Sequence, residues 1–301
     1  LRILHVDTGR EMRGGQRQVL LLLCGLRDAG EECTLLARAA APLFNSAKNL
    51  GLPVYAARLE TVWRLSRQNN IVHTHDAHAH SLAALASRVP FVVSRRVAFP
   101  LKTSIVSRWK YRRAARLLAV SQFVADELRR AGMTKDRIDV VYDAVDTNVP
   151  AGEWSADDPA VALDSADPAK GRDLVAEAAR LAGVSVIYSN DLQQDLKRAS
   201  MFLYITRSEG LGSAALLAMA MGIPVIGSAV GGLREALAFG EAGSLTENDA
   251  AAIAAAIQHL REDSSLARTL IEQGKRRVAE HFTVQRMVER TRESYRRALA
   301  A

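Results

Sequence analysis

Apolar runs of strand length alternate with amphipathic helical stretches along nearly the whole chain, and that rhythm leaves few architectures open. Residues 3–6 read as a strand, 13–15 as a turn, 16–29 as a helix with an apolar face through Val19, Leu20, Leu23 and Leu26, and 33–37 as a second strand. The alternation continues through 71–74, 77–87, 91–94, 107–118, 119–121, 123–131 and 139–142. Such strand–helix–strand units return each strand to one sheet in the same direction, so the pattern predicts an α/β fold with helices wrapped around a parallel sheet.

Around Asp146 the rhythm breaks. Residues 149–159 are polar and carry Pro and Gly, which suits a linker. Strand and helix signals resume at 161–163, 170–181, 184–188, 192–198, 202–205, 213–221 and 224–228, and three polar-faced helical segments, roughly 250–261, 266–281 and 284–300, close the chain. A length of 301 residues suits two domains, and 49% hydrophobic against 24% charged residues can fill two cores. The expected fold is therefore two doubly wound, Rossmann-like domains facing a central cleft, with 1–148 the first and the second beginning at 149.

Forty Lys and Arg against 33 Asp and Glu leave a net charge of +7, which favours anionic partners: phosphorylated ligands, anionic lipid or nucleic acid. Cys24 in an apolar helix and Cys33 in an apolar strand read as buried thiols of a reducing compartment, with no disulfide framework. The amino terminus reads as a strand rather than a signal peptide, and no apolar run reaches membrane-spanning length, so a cytoplasmic location is expected.

The chemistry concentrates at a few turns. In Ser208-Glu209-Gly210-Leu211-Gly212-Ser213 an acidic residue and two glycines stand at the mouth of an Ala-rich helix, where free N–H groups and a carboxylate can converge on a polyhydroxy, phosphate-bearing ligand. A plain helix cap is the simpler reading of the same Glu209. Gly14-Gly15 falls between the first strand and the first helix, either as a tight turn or as a place where backbone approaches a phosphate. Lys170-Gly171 opens a helix and can set an ammonium against phosphate.

Two further patterns invite alternatives. The run His73-Thr74-His75-Asp76-Ala77-His78-Ala79-His80 offers four imidazoles and a carboxylate, the material of a metallohydrolase site. Hydrolytic zinc motifs space these residues differently, and His259 and His281 lie far off on late helices, so no metal is expected. His78, nearest the helix start, fits hydrogen bonding to sugar hydroxyls, while His73 and His80 fit a strand end and a helix cap. From Arg95 to Arg116 no acid interrupts Arg95, Arg96, Lys102, Arg108, Lys110, Arg112, Arg113 and Arg116, interleaved with Phe99, Trp109 and Tyr111. On a helix, Arg108, Arg112 and Arg116 would form one cationic stripe, suited to an anionic membrane surface or a phosphorylated acceptor, or else a solvated face. No nucleic-acid module accompanies it, and no nucleic-acid partner is expected.

Residues 208–235, with their Ser-Glu-Gly-Leu-Gly-Ser and Gly-Ile-Pro-Val-Ile-Gly-Ser-Ala-Val-Gly-Gly-Leu-Arg-Glu runs, resemble the donor-binding segment of the retaining glycosyltransferases of family 4, or group 1, which have the two-domain GT-B fold. Arg13 to Gln18 resembles that family's amino-terminal glycine loop, His73 to His80 its His-x-His-Asp-x-His segment, and Val120-Ser121 and Asp143 to Asp146 two further landmarks. The resemblance implies an acceptor-side domain at 1–148, a nucleotide-sugar domain at 149–283 and a last helix, 284–301, returning to the first domain. It implies a nucleotide-diphosphate sugar as donor, its base open among uridine, guanosine and adenosine, no separate cofactor, and a lipid-linked or cell-surface glycan as acceptor at the inner membrane face. Glu209 and His78 would orient the sugar, and Lys170 with the N–H groups of Gly14, Gly15, Gly210, Leu211, Gly212 and Ser213 would neutralise the diphosphate. Two departures stand out. Leu217 occupies the place of the second Glu of the family's Glu-x7-Glu pattern, and Asp164-Ser165 the place of its Gly-Arg pair; the short 161–200 segment further implies a reduced second sheet.

Overall fold

A computed structural model describes residues 1–101, 104–150 and 154–300. It divides into one unit of Leu1–Asp143 together with the last helix, and a second of Ala144–Thr283. The chain leaves the first unit ahead of the polar 149–159 segment, of which 151–153 lie outside the described residues. Val145 donates its N–H to the Phe282 carbonyl and bridges Thr283 in parallel fashion, so the entry and exit of the second unit lie side by side.

The first unit runs β1 (Arg2–Asp7), α1 (Gly14–Asp28), β2 (Glu32–Ala37), α2 (Pro42–Asn49), β3 (Val54–Ala56), α3 (Leu59–Ser66), β4 (Ile71–Thr74), α4 (Ala77–Ala86), β5 (Phe91–Arg95), α5 (Ile105–Arg113), β6 (Arg116–Ala119), α6 (Gln122–Arg130) and β7 (Ile138–Val140). Among the described residues its strands form a seven-stranded sheet, in the order β3-β2-β1-β4-β5-β6-β7. Every pairing is parallel. Ile3, Leu4 and Val6 of β1 are wholly buried, as expected where helices cover both faces of a sheet. Helix α1 buries Val19, Leu22, Leu23 and Leu26, with Leu20 only at its margin. Cys33 is buried as expected, whereas Cys24 is half-buried; both are free thiols.

The second unit runs β8 (Ala160–Leu163), α7 (Arg172–Ala182), β9 (Val186–Ser189), α8 (Leu192–Asp195), β10 (Met201–Tyr204), α9 (Ser213–Ala220), β11 (Val225–Ser228), α10 (Leu233–Ala236), β12 (Ser244–Thr246), α11 (Ala250–Glu262) and α12 (Ser264–His281). Among the described residues its strands form a five-stranded parallel sheet, in the order β12-β11-β10-β8-β9. Counted within the unit this is a 2-1-3-4-5 arrangement, whose strand order reverses between β8 and β10; ligands of such sheets sit beyond the strand ends at that reversal. Val175, Ala178, Ile253 and Ile257, from α7 and α11, pack one face together with Ala160, Met201 and Leu203. The layer between β9 and β10 is reduced to the single turn of α8 and a 3₁₀ turn, because only eleven residues separate the two strands.

The last helix, α13 (Val284–Ala300), belongs to the first unit. It lies on α1, where a Cβ on Gly25 would come within 2.7 Å of both Val284 and Val288. Tyr295, fully buried, reaches from α13 to His73 on β4.

The expected helix over 107–118 is corrected. Helix α5 ends at Arg113, and Arg116 opens β6, where its guanidinium pairs with Asp139 on β7. Leu117 and Leu118 then enter the sheet, and Ala115 N–H bonds the Phe91 carbonyl. Burying two leucines inside a sheet outweighs continuing a helix of charged residues, so Arg108, Arg112 and Arg116 do not form one stripe.

Candidate active site

In the second unit, the loops after β8 and β10 bring Lys170 and Glu209 together at the strand-order reversal. Lys170 Nζ lies 3.1 Å from Glu209 Oε2, and the Tyr204 hydroxyl donates to the same oxygen at 2.5 Å. The Gly210 N–H donates to Glu209 Oε1 at 3.0 Å. An ionised carboxylate offers about four lone-pair positions, so three are taken and one remains for a hydroxyl. Tyr204 is fully buried and its hydroxyl is held well above its ordinary pKa, by burial first and by the Glu209 charge second, so it stays a donor.

Backbone geometry fixes this carboxylate. Arg207 N–H bonds the Ala169 carbonyl at 2.8 Å, and Thr206 Oγ1 donates to the same carbonyl at 3.1 Å, clamping the Lys170 turn to the segment after β10. Gly171, at φ +60°, lets that turn sit on Ile205, and Gly231, at φ +49°, lies so close that a Cβ would stand 2.3 Å from the Glu209 carbonyl oxygen.

Gly212, at φ +107°, starts α9. The N–H groups of Leu211 and Gly212, just ahead of α9, and of Ser213, in its first turn, have no partner among the described residues. Gly210 differs from expectation, since its N–H serves Glu209. Lys170 also sits in a 3₁₀ turn rather than opening α7, which begins at Arg172. Arg172 itself pairs with Asp164 and lies over the Tyr188 ring at 4.1 Å, an arrangement with no local sequence signal. Leu217 stands one turn into α9, half-buried.

In the first unit, Gly14 and Gly15 begin α1 rather than forming the turn before it, and space is open around Gly15. Gln16 braces the loop: its Oε1 accepts from Arg13 N–H at 3.4 Å, and its Nε2 donates to both oxygens of Asp7 at 3.2 Å. Asp7 also accepts the Gly9 N–H; burial and, more weakly, the nearby Asp76 raise its pKa against those hydrogen bonds. Asp76, not a histidine, caps α4 by accepting from His78 and Ala79 N–H groups and from Thr8. His78 is exposed in the first turn of that helix.

The histidine run separates into two groups. His80 is buried, with Nε2 3.0 Å from the Lys110 carbonyl oxygen and its ring edge-on to Tyr111. His73 and His75 instead meet His5, which the sequence did not single out: ligating nitrogens of the three lie within 4.8 Å of one another. The donor set does not fit a cation. His5 Nδ1 and His75 Nε2 share a 3.0 Å hydrogen bond, His73 is engaged by Tyr295 and Ser94, and the Arg96 guanidinium, paired with Asp143, lies 3.2 Å from His75 Nδ1. Of the six ring nitrogens, only His5 Nε2 lacks a partner among the described residues. Burial first, and then the Arg96 charge, holds His5 at about 3, and burial likewise drives His73 and His75 well below their ordinary range. The trio is a neutral buried network rather than the metallohydrolase site that the histidine run suggested.

Much of the basic run is used internally. Arg95 bonds the Tyr111 hydroxyl, Lys110 reaches Ser81 and the Ala77 carbonyl, and Arg116 serves Asp139. Lys102 lies outside the described residues. What faces outward on and beside α5 is apolar as well as basic: Phe99 is 65%, Ile105 83% and Val106 66% exposed.

Comparison with known proteins agrees with this architecture. A family model described as Glycosyltransferase Family 4 matches residues 12–149, and one described as Glycosyl transferases group 1 matches 131–263. The N-acetyl-alpha-D-glucosaminyl L-malate synthase of Bacillus anthracis is 33% identical over 94 residues, 31% of this chain and 25% of that protein. The capsular polysaccharide biosynthesis glycosyltransferase CapM of Staphylococcus aureus is 36% identical over 87 residues, 29% of this chain and 23% of that protein. These alignments span about a quarter of those relatives' own length. The Anabaena protein Alr3699/HepE, solved in complex with UDP and glucose, superposes with a TM-score of 0.84 over 98% of this chain and 99% of that one, at 17% identity, a likeness of fold. With residues 12–149 and 131–263 matched in turn by the two glycosyltransferase models, the chain belongs to the family 4, group 1 glycosyltransferases.

Proposed function

We propose that the chain is a retaining glycosyltransferase that moves a sugar from a nucleotide-diphosphate donor to a hydroxyl of a lipid-linked or cell-surface glycan acceptor. The observation that carries this reading is the Lys170–Glu209–Tyr204 constellation at the strand-order reversal of the second unit, beside three amides with no partner among the described residues. An ammonium has three donors, so Lys170 keeps Glu209 while reaching a phosphate oxygen. Together with the N–H groups of Leu211, Gly212 and Ser213 it stabilises charge developing on the departing diphosphate, the main electrostatic task of this chemistry. The free acceptor position of Glu209 takes a sugar hydroxyl and fixes the ring. Gly14, Gly15 and His78 are proposed to serve the same reaction from the first unit. Purified protein incubated with a panel of sugar nucleotides and extracted glycolipid tests this; neither transfer nor donor hydrolysis anywhere in the panel contradicts it.

One observation favours a second reading. Leu217 cannot accept a hydrogen bond from a ribose, and a protein that binds nucleotide sugar without turnover accommodates that gap. Calorimetry separates the two: binding with no turnover supports the second reading, and a gain of nucleotide affinity in Leu217→Glu identifies the gap as the cause.

A peripheral site on the inner membrane face is proposed for the surface around α5. Exposed Phe99, Ile105, Val106 and Trp109 stand among Arg108, Arg112 and Arg113, the mixture that anionic lipid attracts. No helix among the described residues is long and apolar enough to cross a membrane.

A further inference from the structure

Asp7, Ala37 and Ala56 lie side by side at the carboxyl ends of β1, β2 and β3. The residues that follow therefore emerge together: Thr8 from β1, Arg38 from β2, and Ala57 and Arg58 from β3. They line a cavity of about 390 Å³ whose remaining polar wall is His78, from the start of α4. Alanines at 39, 56 and 57 leave the space open. Among the described residues no carboxylate lines it. The Arg38 guanidinium has neither an ion pair nor a hydrogen bond among the described residues, and Arg58 has a loose 3.7 Å pairing with Glu60 in which both side chains are more than two-thirds exposed. The unpaired Arg38 and the loosely paired Arg58 thus line one cavity, and guanidiniums recognise carboxylate and phosphate by paired hydrogen bonds.

We propose that this cavity holds the anionic group of the acceptor, so that the sugar is delivered to a hydroxyl-bearing oxyanion, a hydroxy acid or a phosphate ester, gripped by Arg38 and Arg58 with its hydroxyl toward His78. The inference rests on the transfer reading above and deepens it on the acceptor side. In the reaction the acceptor oxygen forms a bond to the anomeric carbon as that carbon's bond to the diphosphate oxygen breaks. The acceptor proton passes to the departing nucleoside diphosphate, so no oxidant or further reactant is needed. A cavity of this size takes one small acceptor or the terminal unit of a larger one.

Calorimetric titration of the whole chain with malate, glycerol 1-phosphate and uncharged glycerol tests this, repeated on Arg38→Gln and Arg58→Gln. Both positions are exposed, so the variants keep the fold, and unchanged circular dichroism checks it. At least one anionic probe binds, whether malate, glycerol 1-phosphate or phosphatidylglycerol in vesicles, glycerol does not, and each variant weakens anion binding about tenfold or more, with the affinity falling as salt is added. Binding of soluble glycerol 1-phosphate assigns a free acceptor. Binding confined to phosphatidylglycerol vesicles and lost in both variants assigns a lipid-borne one; either outcome supports the oxyanion. Equal binding of glycerol and the anions, no binding of any probe, or full anion binding in both variants overturns the proposal. A nucleotide titration on the same preparation separates the two readings. Nucleotide binding without anion binding removes this inference alone, whereas anion binding without nucleotide binding keeps the cavity's chemistry and removes the transfer reading.

Discussion

Glu209 has little freedom. Three donors hold its carboxylate, and Gly231 packs against its carbonyl where no side chain fits. Gly231→Ala must therefore move the Glu209 backbone and accept a left-handed conformation as well. The expected cost is about 2 kcal/mol or more in urea denaturation, with loss of donor turnover, and a stability equal to that of the parent chain contradicts the account. The buried histidines make a second residue-level prediction. Unfolded, each takes a proton near pH 6.5, whereas His5 in the fold resists protonation to about 3 and His80 to about 4, with His73 and His75 also well below their ordinary value. Between pH 6.5 and about 4 the unfolded state binds more protons, so stability is fully present above that window and falls as the pH drops through it, by roughly 1 kcal/mol per pH unit for each such imidazole. Denaturation midpoints that stay flat from pH 6.5 to 4.5 would sink this. The Ser-Glu-Gly-Leu-Gly-Ser run made Glu209 and Gly212 legible in the sequence. Lys170 was singled out as well, but its contact with Glu209 was not legible, because the two are 39 positions apart and meet only through the strand order, while Tyr204 reads as an ordinary apolar strand end. His5 escaped for the same reason, lying 70 positions from His75.

At the scale of elements, the α5–β6 junction is where sequence periodicity and structure part. Charged residues spaced for a helix continue to Arg116, yet the sheet takes the chain from Arg116 onward because Asp139, on the adjacent strand, and Leu117 and Leu118 anchor it there. Asp139 Oδ1 accepts from Arg116 at 2.7 Å and from Arg297 of α13 at 2.8 Å, so one carboxylate ties β6, β7 and α13 together. Although burial by itself raises the Asp139 pKa, the hydrogen bond from Arg116 turns the net shift downward. Asp139→Ala leaves the largely buried Arg116 without its counter-charge, at an expected cost of about 3 kcal/mol; a loss below about 1 kcal/mol in chemical denaturation would show the pair to be dispensable. Helix α5 itself predicts a lipid response. In flotation with vesicles rich in phosphatidylglycerol, the parent chain rises with the lipid, and a chain carrying Ile105→Glu and Trp109→Glu stays behind, whereas equal flotation of both contradicts the proposed membrane surface.

Across the whole molecule, two parallel sheets were readable from alternation alone, because each strand that both faces bury shows as an unbroken apolar run. Their order was not, since nothing local in 160–163 or 201–204 says that these strands are neighbours while 186–189 takes the edge. Yet that order is what sets the loops after β8 and β10 beside each other and so makes a site of Lys170 and Glu209. The most direct test is steady-state turnover of the nucleotide sugar that the donor panel identifies, compared among the parent chain, Glu209→Ala and Lys170→Ala. Each variant is expected to lose about 10²-fold or more in kcat/KM, with nucleoside diphosphate binding weakened in Lys170→Ala and little changed in Glu209→Ala. Turnover retained in Glu209→Ala would contradict this expectation.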